Sequence, residues 1–450
     1  MASAPLSIGL ADQGIGFLER HHAAKVRRIA SQLRHHDGRV PLSIQKRSVK
    51  HEVPKPDDRR FEDEKIDCTD LDQVLDIDPY NRVCVAESGV TFVELVNATL
   101  PYGLVPACVP ELKEITLGGA VSGCSVESGS FRYGGFHDSC LEYEVITAEG
   151  EVLYLSREGK TAQLFDMMHG TFGTLGVLSQ LKFQLVPARP LVKLQYEHHS
   201  NLASYEKSIW RHFKSGDLDF MDGIIFGPEQ LTLSAGRFAD FAPYTHKYDW
   251  VKAYFETTAE RDEDYLRTED YFFRYDRGVT NVLPKSTLAR LLFGKWFHSS
   301  NVLRLAERFR ALRNPKPTNV TLDVFIPFAR VPEFMVWWHQ RFGYYPLWCV
   351  PYRLKRRYAC LSPEFFGEPK DELWLDLACY GMPCTPDAER AYRDIEQELL
   401  RIGGFKTLIS YNYLTESEFW TMFDKRAYAE AKARMDPRNL LRDMYEKTRR

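Results

Sequence analysis

Residues 110–123 read PELKEITLGGAVSG, and residues 126–138 continue as VESGSFRYGGFHD. Six glycines fall between Pro110 and Asp138. Glycine admits positive φ and lets backbone come close to a ligand. Successive exposed N–H groups form an anion-binding concavity. The stretch predicts a backbone-lined groove, most naturally for a diphosphate or another large cofactor; the competing reading is a set of ordinary turns. Spacing removes several alternatives. No GxxxxGK[ST] occurs, so there is no P-loop. GTFGTLG (170–176) follows a helical segment, whereas a GxGxxG dinucleotide fingerprint must follow a strand. There is no GxSxG elbow and no HExxH. The histidine pairs 21–22, 35–36 and 198–199 are adjacent, and neighbours point different ways on regular structure, which argues against a shared metal.

Outward from the glycines, short strands and helices alternate. VCVAESG (83–89) reads as a strand closed by Gly89, and a helix follows Thr91, which suits an N-cap, ending near Pro101 and Gly103. LEYEVITAEGEVLYLS (141–156) reads as a hairpin turning at AEG. Residues 161–187 read as helix, glycine loop and a strand closed by Pro187. Residues 18–35 predict a helix with a basic, solvated face, and LSI (42–44) a short strand before a cationic loop. The first 190 residues thus carry an α+β pattern. From Leu191, long helical segments alternate with isolated strands such as MDGIIFG (221–227), NVTLDVFIP (319–327) and ELWLDLACYG (372–381). DAERAYRDIEQELLRIGG (387–404) is an amphipathic helix stopped by Gly403 and Gly404.

A chain of 450 residues exceeds one comfortable core and predicts two domains. A net charge of -3 gives a nucleic-acid partner no electrostatic support. The nine cysteines are odd in number and scattered, with no CxxC pair, which argues against a disulfide framework or a zinc site and fits a reducing compartment. The N-terminal residues lack the basic-then-apolar order of a signal peptide. No apolar run approaches the ~20 residues of a membrane span. LARLLFGKWF (288–297) is the most membrane-compatible segment, and a buried helix suits it better. The expectation is a cytoplasmic protein with at most peripheral membrane contact. Residues 333–358 are dense in aromatics, either a core or the wall of an apolar ligand cavity.

Three elements occur together in order: PEL…TLGG…G, the Tyr133-Gly134 step, and LFDMMHGTFGTLGVLSQLKFQLVP (164–187). The combination resembles the FAD-binding domain of the vanillyl-alcohol-oxidase (p-cresol methylhydroxylase, PCMH) superfamily. KARMDPRNLL (432–441) resembles the C-terminal return to that domain. Within the superfamily the chain is most similar to the 24-dehydrocholesterol (delta-24-sterol) reductases, through segments 109–130, 185–197, 345–354, 372–381 and 403–424. The resemblance implies an α+β fold in two parts. A PCMH-type FAD-binding domain would span residues 1–190, completed by 425–450, with an α+β substrate or cap domain over 191–424. It places Thr116, Leu117, Gly118, Gly119, Gly123, Glu127, Ser128, Tyr133 and Gly134 against FAD, with Gly173, Gly176 and Val177 on the later loop. The early pyrophosphate loop of many members is glycine-rich; the matching SIQKRSVKHEV (43–53) has no glycine. Backbone at Arg47, Ser48 and Val49, with charge from Lys46, Arg47 or Lys50, would take its place; a solvated basic loop is the alternative. His51 and His137 are the nearest candidates for a covalent flavin link, but this subgroup resembles non-covalent binders. The membrane segment that precedes the similarity in the animal reductases has no counterpart here, so membrane anchoring is not implied.

In the resembled reductases NADPH reduces FAD, and the reduced flavin N5 passes hydride to a C=C bond. An isolated trisubstituted alkene has no carbonyl to absorb negative charge. Protonation must therefore precede or accompany hydride addition, which demands an acid held protonated in a dry pocket. The similarity makes Tyr413 the first candidate, ahead of Glu416, Tyr380 and Glu127, with Asp323 a structural strand residue. Two other readings stay open: an FAD oxidase or dehydrogenase of an alcohol or sugar, and a flavin-free lipid-binding protein. No nicotinamide fingerprint is visible, so NAD(P)H would bind transiently or electrons would come from a partner protein.

Overall fold

The computed structural model describes residues 8–48, 58–249, 252–276, 318–368, 372–384 and 386–449, together with 301, 304, 305 and 308. Val49, Lys50, His51 and the segment 288–297 lie outside the described residues. The chain is α+β, built on two sheets and a small strand pair.

The pair is parallel: β1 (Leu42–Gln45) beside β2 (Glu64–Asp67). The first sheet runs β3 (Val74–Asp78), β4 (Val83–Glu87), β8 (Val177–Pro187), β6 (Cys140–Ile146), β7 (Val152–Ser156), antiparallel throughout, with β5 (Leu104–Pro106) on the far end of β8. The alternation of β8 explains its place: Leu181, Phe183 and Leu185 enter the core while Lys182 and Gln184 stay part-exposed. Helix Phe92–Thr99 starts at a full capping box, Thr91 with Glu94, and its last carbonyls hand over to a turn closed by Gly103 at φ 67°.

The second sheet runs β12 (Glu263–Arg267), β9 (Leu191–His199), β11 (Gln230–Ala239), β10 (Phe220–Gly227), β14 (Leu347–Leu354), β15 (Glu372–Pro383), β13 (Asn319–Pro327), β16 (Phe405–Lys406). Strands that look isolated in the sequence are here neighbours in one antiparallel sheet. Its two faces do different work. Met221, Leu322, Val324, Cys349, Leu375 and Leu377 pack under helices Leu202–Ser215, Val331–Arg341 and Ala388–Ile402. The opposite face, with Ile224, Phe325, Trp348, Val350, Tyr352 and Trp374, joins the core of the first sheet. The strand period of two therefore turns half of every strand toward the seam between the sheets. The aromatic-dense segment divides in the same way. Phe334 and Trp338 are core beneath the helices, whereas Tyr352 and Tyr358 face the seam.

The first helix, Ile8–His35, divides its basic residues: Arg20, His21, Arg27, Arg28, Arg34 and His35 stay exposed, as the sequence predicts, while His22 and Lys25 are buried. Val26, Ile29, Ala30 and Leu33 pack on Ile66, Leu71, Ile146 and Val177. His22 and Lys25, 6% and 4% exposed, reach the sheet: His22 bridges Glu87 (2.8 Å) and Glu144 (3.0 Å), and Lys25 pairs with Glu87 at 2.8 Å. Residues 425–449 return to the same unit. Lys432 Nζ donates to the Thr174 carbonyl (2.8 Å) and the Leu441 carbonyl (2.7 Å), and Arg438 donates to the carbonyls of Leu33 and Ala148.

Candidate active site

The glycine segment folds into a short helix, Leu117–Gly123, capped by Thr116. Its first amides do not form an open anion nest. Leu117 N–H donates to the Val90 carbonyl (3.0 Å), Gly118 N–H to the Ser88 carbonyl (2.8 Å), and Gly119 N–H to the Thr116 hydroxyl (3.3 Å). The glycines serve by lacking a side chain. A β-carbon on Gly118 would stand 2.9 Å from Ser88 Cβ, so glycine is what lets the helix dock on residues 88–90. At Gly119, exposed to solvent, a β-carbon would stand 3.8 Å from Lys46 Nζ. At Gly123 nothing lies within 4 Å. The helix thus gives a bare backbone wall with one ammonium at its upper end, dimensions that suit a phosphate-bearing chain laid along it.

The remaining glycines are packing devices. A β-carbon on Gly129 would meet the Ala107 carbonyl at 2.7 Å, on Gly134 the Asp138 carboxylate at 2.3 Å, and on Gly176 the Ile146 carbonyl at 2.9 Å. Gly173 takes φ 66° and borders, with Ser43, Ile44, Arg60, Arg442 and Lys447, a small polar pocket of about 240 Å³.

A larger cavity of about 480 Å³ continues from Gly123. Gly123, Cys124, Val126, Gly170 and Phe172 form one wall; Phe325, Tyr352, Tyr358, Leu361, Phe405 and Phe423 form the other. Buried polar atoms without a hydrogen-bond partner among the described residues gather around this seam: the Tyr352 hydroxyl, Trp374 Nε1, Asp376 Oδ1, Glu127 Oε1 and both His137 ring nitrogens. Such groups are costly unless something polar reaches them.

Carboxyl groups crowd the same face. Asp323 accepts from the Tyr380 hydroxyl at 2.9 Å and the Thr407 hydroxyl at 3.4 Å. Burial lifts the Asp323, Asp376, Glu111 and Glu127 carboxyls above the ordinary range. Their mutual repulsion adds to the lift at Asp376 and Glu111, and Arg274 pulls against it at Glu127. Fully buried Arg274 sits 3.0 Å from Asp222 and 3.9 Å from Glu127, with its guanidinium over the ring of Tyr271 at 4.1 Å. Asp222 also accepts from Tyr275 (2.8 Å) and from Trp348 Nε1 (3.1 Å).

The residues singled out in the sequence separate accordingly. Lys46, Gly119 and Gly123 border the groove. Thr116, Leu117 and Gly118 hold the helix that forms it. Arg47 is turned away into a two-pronged contact with Glu94 at 2.6 and 2.7 Å. Ser48 is part-exposed on the same loop. Ser128 stitches the seam, accepting from Met221 N–H (2.8 Å) and the Tyr271 hydroxyl (3.0 Å). Tyr133 carries Arg132 over its ring, and Val177 is buried in β8 against Ile146. His137 is fully buried behind Tyr358, ring centroids 4.7 Å apart, and does not border the cavity. Among the acid candidates, Tyr380 reaches the carboxylate cluster through Asp323. Tyr413 stacks with Tyr392 and Tyr411 against helix Ala388–Ile402 and is not in the cavity lining. Glu416 is exposed and paired with Lys425 at 3.2 Å, outside the cavity lining. Sequence reasoning missed Glu111, Asp222, Arg274 and Asp376. For Asp222 and Asp376 the available signal was a single carboxylate set among the apolar residues of a strand, as in MDGIIFG and ELWLDLACYG.

Comparison with known proteins adds the cofactor. Residues 22–156 match the FAD binding domain family. The chain is an FAD-binding oxidoreductase. It is 27% identical, over 85% of its length and 78% of that protein, to the delta(24)-sterol reductase homolog of Caenorhabditis elegans. It is 24% identical to the delta(24)-sterol reductase of Homo sapiens over 84% of this chain and 76% of that protein, and 24% identical to that of Pisum sativum over 96% and 85%. The residues present fit FAD. The backbone wall of Gly119 and Gly123 and the Lys46 ammonium suit its phosphates, and the orphaned Tyr352 hydroxyl suits a polar ring edge at the inner end. Among the described residues, no helix is long and apolar enough to cross a membrane.

Proposed function

We propose that this oxidoreductase reduces a carbon–carbon double bond in an apolar lipid of the sterol, isoprenoid or fatty-acyl kind, with NAD(P)H as the transient electron donor. In this reading residues 1–190 and 425–450 hold FAD, non-covalently, through Lys46 and the Thr116–Gly123 segment, and residues 191–424 shape the substrate cavity. The observation that carries it is the seam cavity itself. Its far wall is mostly aromatic and aliphatic; Lys406 and Thr407 are its charged and aliphatic-hydroxyl residues, and Thr407 donates on to the buried Asp323 carboxyl at 3.4 Å. The similarity to sterol reductases supports the same reaction class.

Bound FAD supplies hydride to one carbon of the double bond. The chain must do the rest. Phe325, Tyr352, Tyr358 and Phe405 exclude water from the alkene and face it with π-electron density, worth about 1–2 kcal/mol to a carbon that gains positive charge. A buried acid must deliver the proton, and the carboxyl cluster on β13 and β15 is the source the geometry favours.

The test is anaerobic. The purified protein is mixed with NADPH or NADH and its flavin absorbance near ~450 nm is followed. A sterol carrying a side-chain C24=C25 double bond is then added. Bleaching that the sterol reverses supports the reading. Bleaching by alcohols or sugars, with neither nucleotide active, refutes it in favour of an oxidase.

A further inference from the structure

The second sheet turns two aspartates to the seam side by side. In the register of β13 and β15, Asp323 lies opposite Ala378 and Phe325 opposite Asp376. Both carboxyls therefore share the face of Phe325, which borders the cavity; the carboxyls themselves stand behind that lining, with Asp323 one hydrogen bond from Thr407 of the wall. They are not equivalent. Each oxygen of Asp323 is served, one by Tyr380 and one by Thr407. Asp376 is 4% exposed, and its Oδ1 has no hydrogen-bond partner among the described residues. Two carboxyls set diagonally on one buried face of neighbouring strands cannot both ionise cheaply. The one with donors around it keeps the charge, and the one without keeps the proton.

We infer that Asp376 is the proton donor to the double bond, and that Asp323, fixed by Tyr380 and Thr407, is the positioning carboxylate that keeps Asp376 an acid. The inference rests on the reductase reading above. The step balances. The proton leaves Asp376 for the less substituted alkene carbon, and the π electrons form that C–H bond. The other carbon receives a hydride, with its two electrons, from the flavin that NAD(P)H has reduced. Asp376 is left as carboxylate and regains its proton from water. Burial acts on Asp376 in the required direction, and the charges of Asp323, Glu111 and Glu127 reinforce it.

The test separates this inference from the reading beneath it. Flavin in the wild type, Asp376→Asn, Asp376→Glu and Asp323→Asn is reduced with dithionite, which removes the nucleotide from the question. Each protein is then mixed with the C24=C25 sterol, and reoxidation is timed. We expect Asp376→Asn to slow reoxidation on the order of 10²- to 10⁴-fold, the usual range for a general acid, and Asp376→Glu to recover part of it. Asp323→Asn moves the alkaline limb of the pH–rate profile to lower pH, because the neighbouring negative charge is gone; a purely structural role would not move it. Infrared spectra of flavin-free protein near neutral pH should show protonated-carboxyl absorption, to which Glu111 and Glu127 also contribute, with one component that Asp376→Asn removes and Asp323→Asn retains. A wild type that the sterol reoxidises, with Asp376→Asn equally fast or the absorption unchanged, overturns the assignment alone. A wild type that is reoxidised by neither the sterol nor an unsaturated isoprenoid or fatty-acyl lipid removes the reductase reading, and the assignment with it.

Discussion

Gly119 leaves the ammonium of Lys46 3.8 Å from the point a β-carbon would occupy, on a helix whose own first amides are already spent. Anion affinity at this end of the groove therefore depends on that side chain more than on backbone donors. Lys46→Ala should weaken FAD binding by 10-fold or more, since a hydrogen bond to a charged group is worth roughly 1.5–3 kcal/mol. Titration of the flavin-free protein, read by flavin fluorescence, measures it; unchanged affinity would remove Lys46 from the site.

Gly123 and Gly129 sit six residues apart and should behave oppositely. Gly129→Ala drives a methyl to 2.7 Å from the Ala107 carbonyl and should lower stability by about 1–3 kcal/mol, the usual penalty of overpacking. Gly123→Ala meets nothing within 4 Å, so the protein should melt normally while its FAD affinity falls. Thermal melts of both variants, with and without FAD, tell the two apart.

His22 predicts an alkaline loss of stability. Burial pulls its pKa down, but hydrogen bonds to Glu144 and Glu87 outweigh burial and raise it from 6.5 to about 9. A group that holds its proton more tightly when folded stabilises fully below pH 6.5, and that contribution drains away as pH climbs through 9. Melting temperature should fall across this window in the wild type and fall less in His22→Gln. Glu87 and Glu144, held below their ordinary range chiefly against burial by His22, act in the opposite sense and shape the acid limb.

Tyr413→Phe should change turnover by less than about 3-fold, the scale of a surface-like change, because the ring packs on Tyr392 and Tyr411 outside the cavity lining. Steady-state rates with NADPH and the sterol check this, and a loss of 100-fold or more would return Tyr413 to the centre of the reaction.

Local features were legible in the sequence because local physics makes them. The N-cap at Thr91, the AEG hairpin and the stop at Gly403 (φ 75°) each involve residues a few places apart. The second sheet was not legible as one object. Its β13–β15 and β9–β12 pairings join distant segments that no periodicity links. The same distance hid the fate of Arg47, whose partner Glu94 is 47 residues away, and of His22, whose partners are 65 and 122 residues away. Two members of a basic helix, His22 and Lys25, read as solvated like their neighbours until the acids that bury them are placed opposite. The FAD fold was recognisable as a resemblance because its glycine segment is dense in backbone requirements. The acid was not, because a proton donor needs only one carboxyl and the right neighbours.

The contact between Lys432 and the Thr174 carbonyl joins residues 258 places apart. On the ribosome, everything from β9 to helix Ala388–Ile402 must be made before Lys432 can reach that carbonyl. A nascent chain can form the Thr116–Gly123 wall early, yet it lacks the strap that fastens the far side of the glycine loop until late in translation. Cofactor loading is thereby deferred to a nearly finished chain, and truncations within the last few dozen residues should yield a colourless protein however well their first sheet folds.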